Sequence, residues 1–260
     1  MDRAPEFYIG YAPAPPPGIR RRVRTTLALL ATLVPGIAVL LVVGQRPFPA
    51  AGFEFLQFRS FEGVLTARPY PALHFSGDSM PWLLVGPGKM GIAAGAAPFD
   101  GMRVRLTGER IYRGSDRMLQ VRPASIAAIA PAGQTPPLQD LGDVTLRGEI
   151  VDSKCYFGVM NPGSGKVHRD CAVRCISGGV PPALLVRDRR GAARTVLLAS
   201  ATGGPLREQI LEFVAEPVEV PGRLWRDGQR LILYADPRRM ARVAYASDFF
   251  RILMSRRLIF

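Results

Sequence analysis

All three cysteines of this 260-residue chain, and one of its two histidines, fall in one segment, GEIVDSKCYFGVMNPGSGKVHRDCAVRCISGGVPP. Their order is Cys155-x12-His168-x2-Cys171-x3-Cys175. Asn161-Pro162-Gly163 reads as a turn, residues from about Lys166 to Ile176 have helical composition, and Gly178-Gly179 with Pro181-Pro182 supply a stop. On that helix His168, Cys171 and Cys175 occupy i, i+3 and i+7 and share a face. Cys155, at the end of the preceding strand, is placed to fold over it. Three thiolates and an imidazole around one point suit zinc or a soft copper ion. The same residues also admit a structural disulfide that leaves one thiol free, because the compartment inferred below is oxidising. In that case Cys155 is a bridging partner, since Cys171 and Cys175, one helical turn apart, are poorly aligned for each other. Redox-active thiols or haem ligation form a third, smaller alternative. Asp152 and Asp170 flank the cluster; turn or solvent-facing roles are expected of them, with ligand orientation as the alternative.

Sharper motifs are excluded. Gly163-Ser164-Gly165-Lys166 and Gly86-Pro87-Gly88-Lys89 resemble parts of a phosphate loop, but both lack its spacing and its Ser or Thr. Covalent-haem, thioredoxin and Rieske cysteine patterns are missing. There is no Gly-x-Ser-x-Gly elbow, and His74 beside Phe75 reads as a structural strand residue. No catalytic residue is therefore predicted, and a non-enzymatic role is favoured.

The elements that must position the cluster read as two copies of one small β module, because short runs rich in Val, Leu, Ile and aromatics alternate with Gly and Pro. Val104-x-Leu106-x-Gly108, Ile111-Tyr112-Arg113 and Met118-Leu119 are echoed by Val218-x-Val220-x-Gly222, Leu224-Trp225-Arg226 and Leu231-Ile232. Gly63-Val64-Leu65 is echoed by Gly148-Glu149-Ile150. These repeats predict modules at 52–130 and 143–236, joined by a Pro-rich linker at 131–142. In the second copy, strands near 144–152, 183–188 and 194–199 precede a helical stretch, Leu206 to Phe213. Strands near 217–224 and 230–235 follow it. Strand-strand-strand-helix-strand-strand is the order of an OB-type barrel. In the first copy a Gly/Ala loop, 87–99, stands where the helix would be. The predicted class is thus mainly β, with two tandem OB-like barrels behind an N-terminal transmembrane helix and ahead of a C-terminal helix.

That N-terminal helix is the uncharged run TTLALLATLVPGIAVLLVVG, residues 25–44, long enough for a bilayer core. It exceeds the usual apolar core of a cleaved signal peptide and lacks a convincing cleavage site, so a retained anchor is expected. The irregular tail before it, residues 1–24, ends in Arg20, Arg21, Arg22 and Arg24. Basic residues at that end predict a cytoplasmic N-terminus, with everything after residue 45 outside, in the periplasm of a bacterium. With no second run of this kind, the chain reads as single-pass. The net charge of +13 comes mostly from arginine, with only three lysines, Lys89, Lys154 and Lys166. That bias reflects GC-rich coding more than a nucleic-acid footprint, and an external body is a poor partner for DNA or RNA. The tail 237–260 carries Met240, Val243, Phe250, Leu253 and Met254 at helical spacing beside six arginines. It is expected to be a basic amphipathic helix, either packed on its own barrel or resting on anionic lipid or a membrane partner.

The stretch Gly148-Glu149-Ile150-Val151-Asp152-x2-Cys155-Tyr156, with His168-x2-Cys171-Ala172-x2-Cys175 and Gly178-Gly179-x-Pro181, resembles a group of bacterial membrane-anchored or exported proteins with no assigned activity. The resemblance covers residues 148–186 well and implies compartment rather than function. In ligand type alone, Cys171-x3-Cys175 with a histidine is similar to copper chaperones serving cytochrome oxidase and to that oxidase's binuclear copper site. Membrane-anchored OB-fold haem chaperones share the architecture without the haem motif. The resulting expectation is an inner-membrane accessory protein that binds copper or zinc beside a membrane redox complex. The alternative is a tandem-barrel interaction subunit whose cysteines only staple a loop.

Overall fold

The computed structural model describes residues 13–45, 50–131, 135, 137–188 and 191–243. Two units divide the chain, one ending at Phe48 and one beginning at Pro49.

In the first unit, α1 (Pro17–Gly44) is a single 28-residue helix, about 42 Å long at 1.5 Å per residue. It is long and apolar enough to cross a membrane, and a signal sequence has the same features. The helix starts earlier than the apolar run: residues 17–24, expected to be irregular, are helical. Pro17 suits the first turn, where its missing N–H is not needed, and the arginines that follow are good helix formers. Residues 1–12 of the expected tail lie outside the described residues.

The second unit holds two closed five-stranded barrels of one topology. After β1 (Ala51–Phe53), the first comprises β2 (Arg59–Thr66), β3 (Ala72–His74), β4 (Trp82–Val85), β5 (Arg103–Arg113) and β6 (Asp116–Val121). Strands β2, β3 and β4 pair antiparallel in turn, β4 runs parallel to β6, and β5 closes the ring against both β6 and β2. A short helix, α2 (Ala93–Ala96), continues into a 3-10 turn at Ala97–Phe99, so the first copy keeps a helix where a Gly/Ala loop is expected. The alanines make that turn helical despite Gly95. Strand β7 (Ala127–Ala130) adds to β5.

The second barrel repeats this order with β8 (Gln139–Asp152), β9 (Pro182–Arg187), β10 (Ala193–Ser200), β11 (Pro217–Asp227) and β12 (Arg230–Ala235). Here β10 runs parallel to β12, and β11 bridges β12 and β8. A 3-10 helix at Glu208–Phe213 sits between the third and fourth strands. The echoed glycines explain themselves in this geometry. A Cβ on Gly63 would lie 2.5 Å from the carbonyl oxygen of His74, and one on Gly148 the same distance from that of Leu185. Each is where the first strand coils tightly across the second.

Two boundaries differ from expectation. Strand β8 begins at Gln139, so residues 139–142 of the expected linker belong to the second barrel; its long pairing with β11 recruits them. In the tail, Pro237–Arg239 form a 3-10 turn and β13 (Ala241–Arg242) pairs with β11, so residues 237–242 are not an amphipathic helix. Pairing with the free edge of β11 satisfies these backbone groups, and Met240 is buried in the second barrel's core. The rest of the predicted helix, 244–260, lies outside the described residues.

Apolar burial separates into three clusters. One fills the first barrel around Leu65, Leu73, Leu84 and Leu106. Another fills the second around Ile150, Leu184, Leu198 and Val220. The third is shared: Tyr70, Leu83, Val85, Ile111 and Met118 of the first barrel pack with Val151, Phe157, Leu185, Leu197 and Ile232 of the second. Cys155 and Cys175 belong to this shared core.

Candidate metal centre

The first barrel crosses from its first strand to its second through residues 67–71, whereas the second takes the excursion 153–181. Strand β8 ends at Asp152, which is fully buried. Its Oδ1 accepts the backbone N–H of Cys155 at 2.8 Å, which turns the chain into a short π-helical segment, Cys155–Val159. Its Oδ2 lies 3.0 Å from Nε2 of His168. His168 closes a 3-10 turn at Lys166–His168 that leads into α3 (Arg169–Ser177). One carboxylate thus holds both the backbone of Cys155 and the ring of His168. The proton it favours on Nε2 leaves Nδ1 as the ring's lone-pair atom, the tautomer a metal-binding histidine needs.

The predicted ligands come together as two overlapping groups with Cys155 common to both. Cys155, His168 and Cys171 have ligand atoms within 4.8 Å of one another, and so do Asp152, Cys155 and Cys175. Sγ of Cys155 is 3.8 Å from that of Cys171 and 4.0 Å from that of Cys175. All three are free thiols. A tetrahedron with metal–sulfur bonds of about 2.3 Å has sulfur–sulfur edges of roughly 3.8 Å, and the two separations from Cys155 match such an edge, while Cys171 groups with His168 and Cys175 with Asp152. Cys155 and Cys175 are buried, while Cys171 keeps partial contact with solvent.

Two residues at the cluster were not predicted, and both are lysines. Nζ of Lys89, on the loop after β4 of the first barrel, donates to Sγ of Cys171 at 2.7 Å and lies 3.8 Å from Sγ of Cys175. Lys154, buried beside Cys155, donates to the carbonyls of Gly86 and Gly88, each at 2.7 Å. Lys154 therefore pins the loop that carries Lys89. The loop is also held by Gly91, whose N–H donates to the carbonyl of Gly178 at 2.8 Å. A Cβ on Gly178 would come within 1.9 Å of the carbonyl of Lys89, so only glycine admits this approach. The signal was present in the composition. In a chain that otherwise uses arginine, two of three lysines meet at the cysteines, where a compact ammonium fits and a planar guanidinium does not. Lys166 instead pairs with Glu216 at 3.7 Å.

The electrostatics favour one thiolate, at Cys175, beside a protonated thiol at Cys155. The hydrogen bond Cys155 donates to Cys175, together with burial, pushes the Cys155 thiol well up. Receiving that bond holds Cys175 below the ordinary thiol value against its own burial, and Lys89 adds to the effect. Lys89 is raised by its bond to Cys171. Burial lowers Lys154, opposed by the charges of Cys175, Cys155 and Asp152.

Of the two flanking acids, Asp152 is the orienting group rather than the turn or surface residue expected of it, and Asp170 is exposed. His74 stays outside the cluster, with Nε2 3.1 Å from the hydroxyl of Thr66 and 3.7 Å from Asp227. The arrangement can bind a soft or borderline metal ion through sulfur and imidazole. Comparison with known protein families, with curated proteins and with solved structures finds no match for this chain.

Proposed function

We propose that this chain is a non-enzymatic, membrane-anchored accessory protein. Its second barrel binds one zinc or copper(I) ion through Cys155, His168, Cys171 and Cys175, at the outer face of a bacterial inner membrane and beside a membrane redox complex. The observation that carries the metal reading is the spacing of the Cys155 sulfur from those of Cys171 and Cys175, with His168 oriented by buried Asp152. Charge supports it too. Three thiolates around a divalent ion leave one net negative charge, and the ammonium of Lys89 faces it. The half-exposed Cys171 offers the route by which an ion reaches or leaves a site otherwise closed to water. When bound, the ion would supply a fixed charge and a crosslink between the turn after β8, the 3-10 turn at Lys166–His168 and α3. The outward orientation rests on the arginines at the N-terminal end of α1.

Elemental analysis of the full chain, purified without oxygen, tests the metal reading. About one equivalent of zinc or copper, lost together in Cys155→Ser and His168→Ala, is the expected result. Absence of metal with a single titratable thiol would instead establish the disulfide staple. A reporter enzyme fused after residue 236 tests the compartment, and activity restricted to cytoplasmic reporters would sink the accessory role.

A further inference from the structure

On the interface between the barrels, where the β5–β6 turn faces the β11–β12 turn and the start of β10, lies a cavity of about 620 Å3. Arg113, Arg194, Arg226 and Arg230 line it against a single carboxylate, Asp116. That carboxylate is already engaged: Oδ1 accepts from Nη1 of Arg230 at 3.3 Å, and Oδ2 accepts from the hydroxyl of Thr195 at 2.6 Å. Nε and Nη2 of Arg230 donate to the carbonyl of Pro81, and Nη2 also to that of Arg117. Arg113 is different. It is only 6% exposed, its Nε donates to the carbonyl of Tyr156, and its guanidinium stacks 4.6 Å from the centre of the Tyr156 ring. Its Nη2 is buried with no hydrogen-bond partner among the described residues. A buried N–H left without an acceptor is costly, so this guanidinium favours a ligand that brings one. At the rim, exposed Arg194 and Arg226 make no hydrogen bond or ion pair to any described residue.

We propose that this cavity binds a small organic anion carrying a phosphate or paired carboxylates. Arg113 takes its charged end, Arg194 and Arg226 close over it, and Tyr156, Met80 and Leu231 contact its apolar part. The volume is in the range of small-molecule sites, and a planar guanidinium pairs bidentately with either oxyanion. The site uses none of the four proposed metal ligands, although Tyr156 directly follows Cys155.

Isothermal titration calorimetry of the full chain in detergent tests the idea, with inorganic phosphate, succinate and dihexanoylphosphatidylglycerol as probes. Saturable one-site binding with a dissociation constant below about 1 mM is expected for at least one probe. The double variant Arg194→Ala/Arg226→Ala, which touches only exposed side chains, should weaken it about tenfold or more. Arg238→Ala/Arg239→Ala removes the same charge outside the cavity and should leave it unchanged. Tighter binding of the lipid than of the two soluble anions assigns a headgroup, and the reverse order assigns a soluble ligand. Failure of all three probes, or equal weakening by both double variants, overturns the proposal, since the latter is general attraction to a basic chain.

Discussion

The two barrels share strand order and the place of the helix, yet they part where the first strand meets the second. In the first barrel residues 67–71 make the crossing, and Tyr70 on it reaches into the other barrel. Its hydroxyl donates to the carbonyl of Leu198 at 2.7 Å and accepts the N–H of Leu206 at 2.9 Å. In the second barrel the same crossing carries the thiol cluster. The first barrel answers with residues 86–91, which bring Lys89 to Cys171. A closed ring of strands leaves its connections free to vary, because they carry little of its backbone pairing. The comparison teaches that one copy became the scaffold for a site and the other its lid and clamp.

The largest effect is expected where the two copies share their core. Phe157, fully buried between them, should cost about 3–5 kcal/mol when replaced by alanine, read as a fall in denaturant midpoint. Phe75→Ala, in a half-buried aromatic cluster belonging to the first barrel alone, should cost less. Equal losses would mean that the shared core is no more important than a barrel's own surface.

Tyr70→Phe probes the clamp alone. It keeps the ring and removes the hydroxyl, leaving the buried N–H of Leu206 without its acceptor, at a cost of about 1–2 kcal/mol. A change near zero in thermal unfolding would show that water replaces the hydroxyl and that the clamp is not built as described.

Lys89→Met separates lid from scaffold. Stability should stay within about 0.5 kcal/mol, because Lys89 is exposed, while affinity for the ion weakens by about tenfold. Competition with a chelator reads the second quantity. Unchanged affinity would reduce the first barrel to a steric neighbour of the site.

The smallest effect belongs to a feature of the first barrel only. Glu54, just after β1, accepts from Nε of Arg110 at 3.0 Å and lies 2.9 Å from Nη1 of Arg59. The bond from Arg110 holds its carboxyl below the usual glutamate value. A carboxylate depressed in the folded state stabilises fully above its unfolded pKa and loses that contribution as pH falls through the lowered folded value. Glu54→Gln should therefore cost up to about 1 kcal/mol at pH 7, and the gap to the parent should close under acid conditions, below about pH 4. A gap that persists there would point to packing rather than charge.

Much of this architecture was legible along the chain. Short runs rich in Val, Leu, Ile and aromatics between Gly and Pro marked the strands of the second barrel to within a few residues, and the echo of Gly63 and Gly108 in Gly148 and Gly222 marked the duplication. The cysteine spacing picked out the cluster, because a helix face follows from i, i+3 and i+7 wherever the helix sits. Less was legible at the ends of elements. The 3-10 turn and strand at Pro237–Arg242 were masked by an apolar stripe at helical spacing, and pairing with the edge of β11 overrode it. Asp152 looked like any acid near a turn, since burial is not visible in a residue's neighbours along the chain.

By itself, then, the sequence determined what is local: the apolar length of α1, the strands and their breaks, the duplicated glycines, and two cysteines and a histidine at helical spacing. Tertiary structure alone decided that Lys89 reaches Cys171 from another barrel, that Lys154 holds the loop between them, and that Arg113 is left buried without a full set of partners. Periodicity and turn chemistry act between near neighbours, so they can be read in order. Which surfaces meet, and which charges lose their water, depends on how the whole chain closes.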